Sequence, residues 1–275
     1  MRYGKTERSR DRRIESGRGQ GEGENYTPFI FIHEIPSKGR SYRYVGWKTG
    51  RVHHFLSTNE MHYFMVLEWQ DRIRDIREQY PLLPLSTTEA IADTLHVKHP
   101  TAPGDVSWPM TSDFVLTVQS TPLDQPRTIV RTVKPAQELT DQRVCEKLAI
   151  ERAWWRNQDV DWKIVRDQDI PHVLAENVAW LHGWRNARDL PLHPDRLPTV
   201  IGWLDWDLAR NPNQVLAHYG QRVDYQFDYA PGTGMAVIRH LLARKHWRVP
   251  MDRPIRPLHV IPIRSEGHHD AIALS

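Results

Sequence analysis

The sequence predicts an α/β fold, in which a sheet flanked by helices is followed by a smaller C-terminal domain. Two strand signals, at residues 114–118 and 128–134, are framed by segments with a helical pattern. The character of the chain changes near residue 170, where helical signals alternate with proline-rich segments. The chain has 275 residues, of which 39% are hydrophobic and 11 are Trp. That is enough apolar material for a sizeable core in one large domain or two ordinary ones.

The first 24 residues are basic and rich in glycine, and end in the segment GRGQGEG. They fit a solvated, partly disordered tail and a basic arm that contacts DNA phosphates about equally well. The basic residues are Arg2, Lys5, Arg8, Arg10, Arg12, Arg13 and Arg18. The formal net charge of +3 and the pI of about 9.0 agree with a polyanionic partner without proving one.

Several features predict a cytoplasmic protein. The N-terminal residues contain no apolar signal region, and no segment approaches the roughly 20 apolar residues of a membrane span. The single cysteine, Cys145, cannot form an internal disulfide and has no zinc-type spacing around it. A reducing compartment is therefore expected.

The N-terminal domain is expected to span residues 25–170. In residues 27–56, the segment KTG predicts a turn between two short strands. Ser57 followed by Glu60 has the form of a capping box, so a helix is expected to begin at Ser57. A second helical piece is expected around residues 73–80, where it ends at Pro81. Residues 99–113 contain three prolines and predict a loop.

The two strands that follow are joined by the turn-rich segment QSTPLDQPR, which predicts a hairpin. Residues 136–157 have a helical pattern and residues 162–165 form a further strand signal. The boundary of the C-terminal domain, residues 171–275, is placed near residues 170–185. This domain is expected to contain a helix at 171–184 and a linker at 186–198. Two helices near 213–219 and 234–245 should follow, and then short extended pieces around 247–249 and 260–263.

Asp113 and Lys134 form the constellation of most chemical interest. Because strand residues alternate faces, Val130, Thr132 and Lys134 share one side. If Val118 and Thr128 flank the hairpin loop as partners, Asp113 lies opposite Val133 and beside Lys134. A carboxylate and an ammonium would then meet at the edge of a sheet.

Phosphodiester hydrolysis uses such a pair, because carboxylates hold Mg²⁺ and a lysine orients or deprotonates the attacking water. Glu60 is available as a second carboxylate. The acidic-X-Lys triplet of restriction endonucleases appears here as Thr132-Val133-Lys134 and lacks its first carboxylate. Taken alone this signal is weak, since Asp and Lys at strand ends are common for turn and solubility reasons.

Several longer segments resemble the TnsA family, the endonuclease subunit of heteromeric transposases. They are GRGQGEGENYTPF, EIPSKGRSYRYVGWKTGRVHHFLS, LEWQDRIRDIREQYPLLP, KHP, MTSDF and VKPAQELTDQRVCEKLAIERAWW. The resemblance is dense and in order over residues 17–170, and thin beyond, where it lies mainly around VDYQFDYAPGTG.

The resemblance implies a restriction-endonuclease-like core, a mixed sheet flanked by helices, with a small winged-helix-like C-terminal domain that binds DNA and the regulator. It implies a Mg²⁺-dependent DNA endonuclease, with Mn²⁺ as a substitute, that hydrolyses the strands at the 5′ ends of a transposon. The expected partners are transposon-end DNA, a TnsB-type transposase and a TnsC-type AAA+ ATPase, in the nucleoid region of a bacterial cytoplasm.

The family's catalytic residues fall on Glu60, Asp113 and Lys134, and its metal ligands on Glu60, Asp113 and Thr132. The family pattern has a glutamine where this chain has Thr132. Either the hydroxyl or the backbone carbonyl of Thr132 is available to a metal ion. The alternatives for the whole chain are a free-standing restriction or repair nuclease, and an assembly factor with a weakened site.

Other side chains have two possible roles. Glu60 can be a helix cap alone, and Glu68 is expected at the surface or in a hydrogen bond. The expected DNA contacts are Arg18, His99, Arg244 and Lys245. His99 also fits a role in stabilising its loop. Arg244 and Lys245 fit equally well an ordinary solvated basic face, together with Arg239, His246 and Arg248. His53-His54 and His268-His269 are adjacent histidine pairs, and the first is a poor bidentate metal site because neighbouring strand residues face opposite sides. We expect Glu146 and Glu151 to lie outside the site, as solvated partners of Lys147 and Arg152. Trp154 and Trp155 are expected in the core.

Overall fold

The structure is a computed structural model that describes residues 6–34 and 40–265. The predictions for Arg2, Lys5, His268 and His269 lie outside the described residues. The chain divides into two compact units between Ile170 and Pro171. In the described ranges, every helix is too short or too polar to span a membrane.

The first unit is built on a mixed sheet that has four strands within the described residues, in the order β3 (Ile73–Pro81), β6 (Thr111–Val118), β7 (Arg127–Lys134) and β8 (Asp161–Arg166). The β3–β6 and β6–β7 pairs are antiparallel and the β7–β8 pair is parallel. The predicted α/β core with helices flanking a mixed sheet is therefore confirmed. The strands of this unit are β1 (Tyr42–Val45), β2 (Val52–Phe55), β3 (Ile73–Pro81), β4 (Thr101–Ala102), β5 (Val106–Ser107), β6 (Thr111–Val118), β7 (Arg127–Lys134) and β8 (Asp161–Arg166), and its helices are α1 (Glu7–Glu15), α2 (Thr58–Trp69), α3 (Leu85–Thr94) and α4 (Gln142–Arg156).

Two expectations for this unit are wrong. Residues 73–80, predicted as helix, form strand β3, and seven of its nine residues are buried. The reason is tertiary, because pairing with β6 satisfies the backbone of a segment whose local pattern is ambiguous. The proline-rich stretch 99–113 is not only a loop, since β4 and β5 form a short hairpin within it.

Helix α2 begins as predicted, because the Ser57 hydroxyl accepts a hydrogen bond from the backbone N–H of Glu60 (3.1 Å). On one side of the sheet α2 brings Phe64 against Phe55, with ring centroids 4.6 Å apart. Phe55 in turn stacks on Phe114 of β6. Elsewhere in the sheet, Val115 and Val130 pack against Trp154 and Trp155 of α4, which confirms that both tryptophans belong to the core.

A largely buried ion network ties the β1–β2 hairpin to the sheet. Glu78 on β3 accepts hydrogen bonds from Arg51 (2.9 Å) and from His53 Nδ1 (2.8 Å). Burial alone would raise the pKa of Glu78, but His53 and Arg51 hold it far below its ordinary value. Because His53 is committed to this network and fully buried, it is not available as a metal ligand.

The described part of the basic N-terminal segment, residues 6–24, is folded, in contrast to the partly disordered tail that was one of the two expectations for it. Arg13 and Arg18 both form ion pairs with Glu34, at 3.2 and 2.8 Å. Gly19 has φ of 82°, and a Cβ atom there would lie 2.2 Å from Pro81 Cγ. The glycine therefore allows this segment to pack closely on the end of β3.

The second unit is mainly helical and contains α5 (His172–Leu181), α6 (Leu197–Arg210), α7 (Leu216–Phe227), α8 (Thr233–Ala243), β9 (Trp247–Arg248) and β10 (Arg264–Ser265). Helices α6 to α8 precede a two-stranded antiparallel sheet, which fits the expected winged-helix-like arrangement. Asp205 on α6 accepts hydrogen bonds from Trp247 Nε1 (2.7 Å) and Ser265 Oγ (2.8 Å) and so fixes both strands. Helix α6 was not predicted, and its first two residues fall in the expected proline-rich linker at 186–198, although proline is tolerated in a first helical turn.

Candidate active site

Asp113 and Lys134 meet where β6 and β7 approach the end of the sheet. Lys134 Nζ lies 3.2 Å from Asp113 Oδ2 and 3.0 Å from the Val133 carbonyl. The same carboxylate oxygen accepts a hydrogen bond from the backbone N–H of Val133 (2.8 Å). The predicted proximity of the pair is therefore present in the structure.

The predicted register of the hairpin was wrong by one residue. Val118 pairs with Arg127 and Phe114 with Arg131, whereas the expected partner of Val118 was Thr128. The register depends on the conformation of the connecting loop, which turn-forming residues alone do not determine. The predicted sharing of one face by Val130, Thr132 and Lys134 is unaffected, because it depends only on strand alternation.

Glu60 lies in the first turn of α2, where it joins the same cluster. Its carboxylate accepts hydrogen bonds from the Leu56 N–H (3.1 Å) and the Ser57 hydroxyl (3.0 Å), so it does help to fix the helix terminus. Burial, and then the negative charge of Asp113, raise the pKa of Glu60 to about 7. The electrostatic coupling means that Glu60 fits both roles, as a helix cap and as a member of the Asp113–Lys134 cluster.

Replacing Glu60 with glutamine is expected to raise the melting temperature of the metal-free protein by a few degrees at pH 8 and by less at pH 5. The folded-state pKa of about 7 lies above the ordinary value of 4.5. The folded protein therefore loses stability as the pH rises through this window, and above pH 7 the ionised carboxylate keeps that cost. A neutral amide has no such cost. Thermal unfolding in EDTA measures the difference, with Glu24→Gln at an exposed position as the control. An equal change at both pH values would contradict the coupling.

Lys134 keeps its positive charge at neutral pH. Burial would lower its pKa, but the charges of Asp113, Glu151 and Glu60 together raise the pKa above its ordinary value. A charged lysine stabilises negative charge and orients water, and it is a poor base. Of the two roles that the sequence left open for this residue, the electrostatics favour orientation over deprotonation.

Glu151 is the main residue that the sequence interpretation misplaced. It was expected to be solvated, yet it is 3% exposed. Its Oε1 accepts hydrogen bonds from Thr132 Oγ1 (2.5 Å), Ser112 Oγ (2.7 Å) and Trp162 Nε1 (3.0 Å). Three donors from three strands draw this carboxylate into the core beside the candidate site. Burial, and then the charge of Asp113, raise the pKa of Glu151.

Gln79 also belongs to this region and was not predicted. It is 3% exposed, and its amide lies 3.5 Å from Glu60 Oε2 and accepts a hydrogen bond from Thr111 Oγ1 (3.3 Å). Its φ of 51° lies in the left-handed region, a conformation that costs free energy for a residue with a side chain. No local signal in the sequence marks this position.

A cleft of about 480 Å³ opens beside the cluster. Asp113, Thr132 and Lys134 line it from the sheet, and one wall is α4. The facing residues are mainly apolar and include Trp108, Pro109 and Met110. The candidate site is therefore open to a substrate that is larger than a water molecule.

The remaining predicted residues of the first unit have structural partners. His99 Nε2 lies 3.0 Å from Thr88 Oγ1 on α3, and burial lowers the pKa of His99. Arg18 pairs with Glu34 and lies over the ring of Phe31. Glu68 is buried and accepts a hydrogen bond from the Trp47 N–H, so the expected hydrogen-bonding role is confirmed and the surface location is not. DNA contacts by His99 and Arg18 stay predictions.

In the second unit the predicted basic group is divided. Arg244 is exposed at the end of α8, and Lys245 follows it with φ of 63°. Arg239 instead stacks on Trp180, 4.3 Å from the ring centroid, and on Trp184. His246 lies 2.8 Å from Asp205. Arg244 and Arg248 are thus the exposed members of the group.

The oxygen donors at the site fit a divalent cation that takes most of its ligands from water and from substrate phosphates. Glu60 and Asp113 are hard oxygen donors, and a divalent cation held by them would offset both the burial and the repulsion from Asp113 that raise the pKa of Glu60. Within residues 6–34 and 40–265, no three His, Cys, Asp or Glu side chains form a group that could hold a metal. Two carboxylates are nevertheless typical for Mg²⁺, which keeps waters and binds substrate phosphates.

Comparisons with known proteins agree with the geometry. Residues 70–167 match the family model described as TnsA-like endonuclease N terminal, and residues 169–251 match the one described as TnsA endonuclease C terminal. The chain is 38% identical over 232 residues to "Transposon Tn7 transposition protein TnsA" of Escherichia coli, a match that covers 84% of this chain and 82% of that protein.

Proposed function

This chain belongs to the TnsA family of endonucleases, and we propose that it hydrolyses the DNA strands at the 5′ ends of a transposon. The observation that carries the proposal is the ion pair between Asp113 and Lys134 at an open cleft, with the buried Glu60 electrostatically coupled to both residues. Two carboxylates can hold a divalent cation and a charged lysine can stabilise developing negative charge, and metal-assisted phosphodiester hydrolysis uses both. Its partners would be a transposase of the TnsB kind, an ATPase of the TnsC kind and transposon-end DNA.

Glu60 and Asp113 would hold Mg²⁺, with Mn²⁺ as a substitute. The cation would stabilise the charge that develops on the scissile phosphate. Asp113 is positioned for this by the Val133 N–H, and Glu60 by the first turn of α2. Lys134 remains charged beside Asp113 and would orient the attacking water or stabilise the phosphate.

Thr132 occupies the position where the family has a glutamine. Its hydroxyl donates to Glu151, a buried carboxylate that lines the same cleft from α4. We propose that Glu151 orients Thr132 and adds negative charge close to Lys134, since it contributes to the raised pKa of that lysine. The site would thus keep the charged Lys134 and the carboxylates around it without the family's glutamine. This argues against a decayed site.

The proposed activity is tested by strand-specific cleavage of a transposon-end duplex. The protein is assembled with its transposase, and the two strands carry different end labels. With Mg²⁺ or Mn²⁺ we expect a cut in the strand at the 5′ transposon end, and in EDTA a loss of that cut by at least about 10²-fold. A cut that persists in EDTA would overturn the metal dependence. Efficient cleavage by the chain without any partner would favour a free-standing nuclease instead.

A further inference from the structure

The cleft beside Asp113 contains a second lysine that the proposed chemistry leaves unused. Lys147 lies on α4 and lines the same cleft as Asp113, Thr132 and Lys134. It is exposed, and no ion pair joins it to a residue in the described part of the chain. Lys147 and Lys134 are the two cationic side chains that line this cleft.

The acidic residues near Lys147 on α4 are committed elsewhere. Glu151, one turn further on, faces inward to Thr132, Ser112 and Trp162. Glu146 is paired with Arg143 at 2.8 Å. An i,i+4 pair between Lys147 and Glu151 would be ordinary on a surface helix, but the buried hydrogen bonds of Glu151 preclude it. The charge of Lys147 is therefore left unneutralised at the mouth of the cleft.

Lys134 cannot replace Lys147 as a contact for DNA phosphates other than the scissile one. Its ammonium is 3.2 Å from Asp113 and is directed at the reacting centre. A DNA strand whose scissile phosphate lies at Asp113 brings further phosphates along the cleft, each carrying a negative charge. Trp108, Pro109 and Met110 on the facing wall offer no cation, and Glu138 on the cleft wall would repel a phosphate. Lys147 is the side chain in the cleft with a free charge for this purpose.

We propose that Lys147 binds a backbone phosphate next to the scissile phosphate on the cleaved strand. The inference rests on the proposed nuclease function and names a substrate-binding residue within it. An ammonium group forms charge-assisted hydrogen bonds to phosphate oxygens and releases a counterion from the DNA. Lys147 thus holds the strand in register with Asp113 and takes no part in bond cleavage.

The test compares Lys147→Ala and Lys147→Arg with Arg152→Ala, which removes one charge from an exposed position on the same helix that lines a different groove. The full chain is used, assembled with its transposase on transposon-end DNA. We expect Lys147→Ala to raise the KM for DNA about tenfold with at most about a threefold fall in kcat. Lys147→Arg should have a KM close to that of the unaltered protein, and Arg152→Ala should match the unaltered protein in both constants. Equal effects of Lys147→Ala and Arg152→Ala would overturn the proposal, as would a loss confined to kcat.

A second measurement identifies the phosphate and does not depend on cleavage. DNA binding is measured in EDTA on duplexes that carry one neutral methylphosphonate at successive positions around the cleavage site. At one position beside the scissile phosphate, the neutral group should weaken binding of the unaltered protein and have no further effect on Lys147→Ala. The salt dependence of binding should also fall by about one phosphate equivalent in Lys147→Ala. If Lys147→Ala and every neutral position act additively, Lys147 contacts no phosphate there, even where the proposed nuclease activity holds.

Discussion

Replacing Asp113 with alanine is expected to reduce cleavage at the 5′ end of the transposon by about 10³-fold or more. The substitution removes a carboxylate that faces both Lys134 and Glu60, and therefore half of the oxygen donor set proposed for the metal. It also lowers the raised pKa of Glu60, because the charge of Asp113 is the second largest cause of that shift. Lys134→Ala should have an effect of similar size, since it removes the charge nearest the reacting phosphate.

Asp161 and Lys163 provide the matched control. They form an exposed ion pair at 3.4 Å on β8 of the same sheet, where Asp161 also pairs with Arg131 (2.8 Å), and neither residue lines the cleft. Asp161→Ala and Lys163→Ala should leave cleavage within about twofold of the unaltered protein, because exposed pairs contribute little. Cleavage rates are compared at saturating DNA and Mg²⁺, and thermal unfolding verifies that all four variants are folded. A folded Asp113→Ala protein with normal cleavage would remove Asp113 from the site.

Glu78→Ala is expected to destabilise the first unit by about 3–5 kcal/mol. Glu78 is 1% exposed and is the shared acceptor for Arg51 and His53. Its removal leaves the buried guanidinium of Arg51 without its carboxylate, and the β1–β2 hairpin without its attachment to β3. Urea unfolding of the full chain measures the loss, with Glu146→Ala as control, because Glu146 is also paired with an arginine but at the surface.

The pH dependence of the same variant provides a separate check. The pKa of Glu78 is depressed in the folded protein, so its contribution is present above the ordinary carboxyl pKa of about 4.5 and is lost as the pH falls below it. The difference in stability between the unaltered protein and Glu78→Ala should therefore be large at pH 7 and shrink in acid. A difference of less than about 1 kcal/mol at pH 7 would show that the network does not hold the hairpin.

Much of the candidate site could be predicted from local rules. The Ser57 cap placed Glu60 in the first turn of a helix, and strand alternation placed Thr132 and Lys134 on one face. Two strands joined by a turn-rich loop brought Asp113 to Lys134. Each of these inferences uses residues that are close in the sequence, and each survives a register error of one residue because neighbouring positions on the two strands remain in contact.

The parts that could not be predicted depend on long-range contacts. The neighbouring Lys147 and Arg152 predict that Glu151 is a solvated helical residue. Its burial depends instead on hydrogen bonds from Ser112, Thr132 and Trp162. Strand β3 has an ambiguous local pattern, and its pairing with β6 makes it a strand. Gln79 adopts a positive φ that no turn motif indicates. In each case the deciding interaction joins residues that are distant in the sequence.

The reaction product of transposition tests the central claim most directly, namely that Glu60, Asp113 and Lys134 cut the strands at the 5′ ends while a separate transposase acts on the 3′ ends. The assay supplies the complete system with the unaltered chain, with Asp113→Ala, or with Lys134→Ala. We expect simple insertions from the unaltered chain. We expect the two variants to retain 3′-end joining, to lose cleavage at the 5′ ends and to shift the products to cointegrates. Unchanged simple insertions from both variants would contradict the assignment of the site.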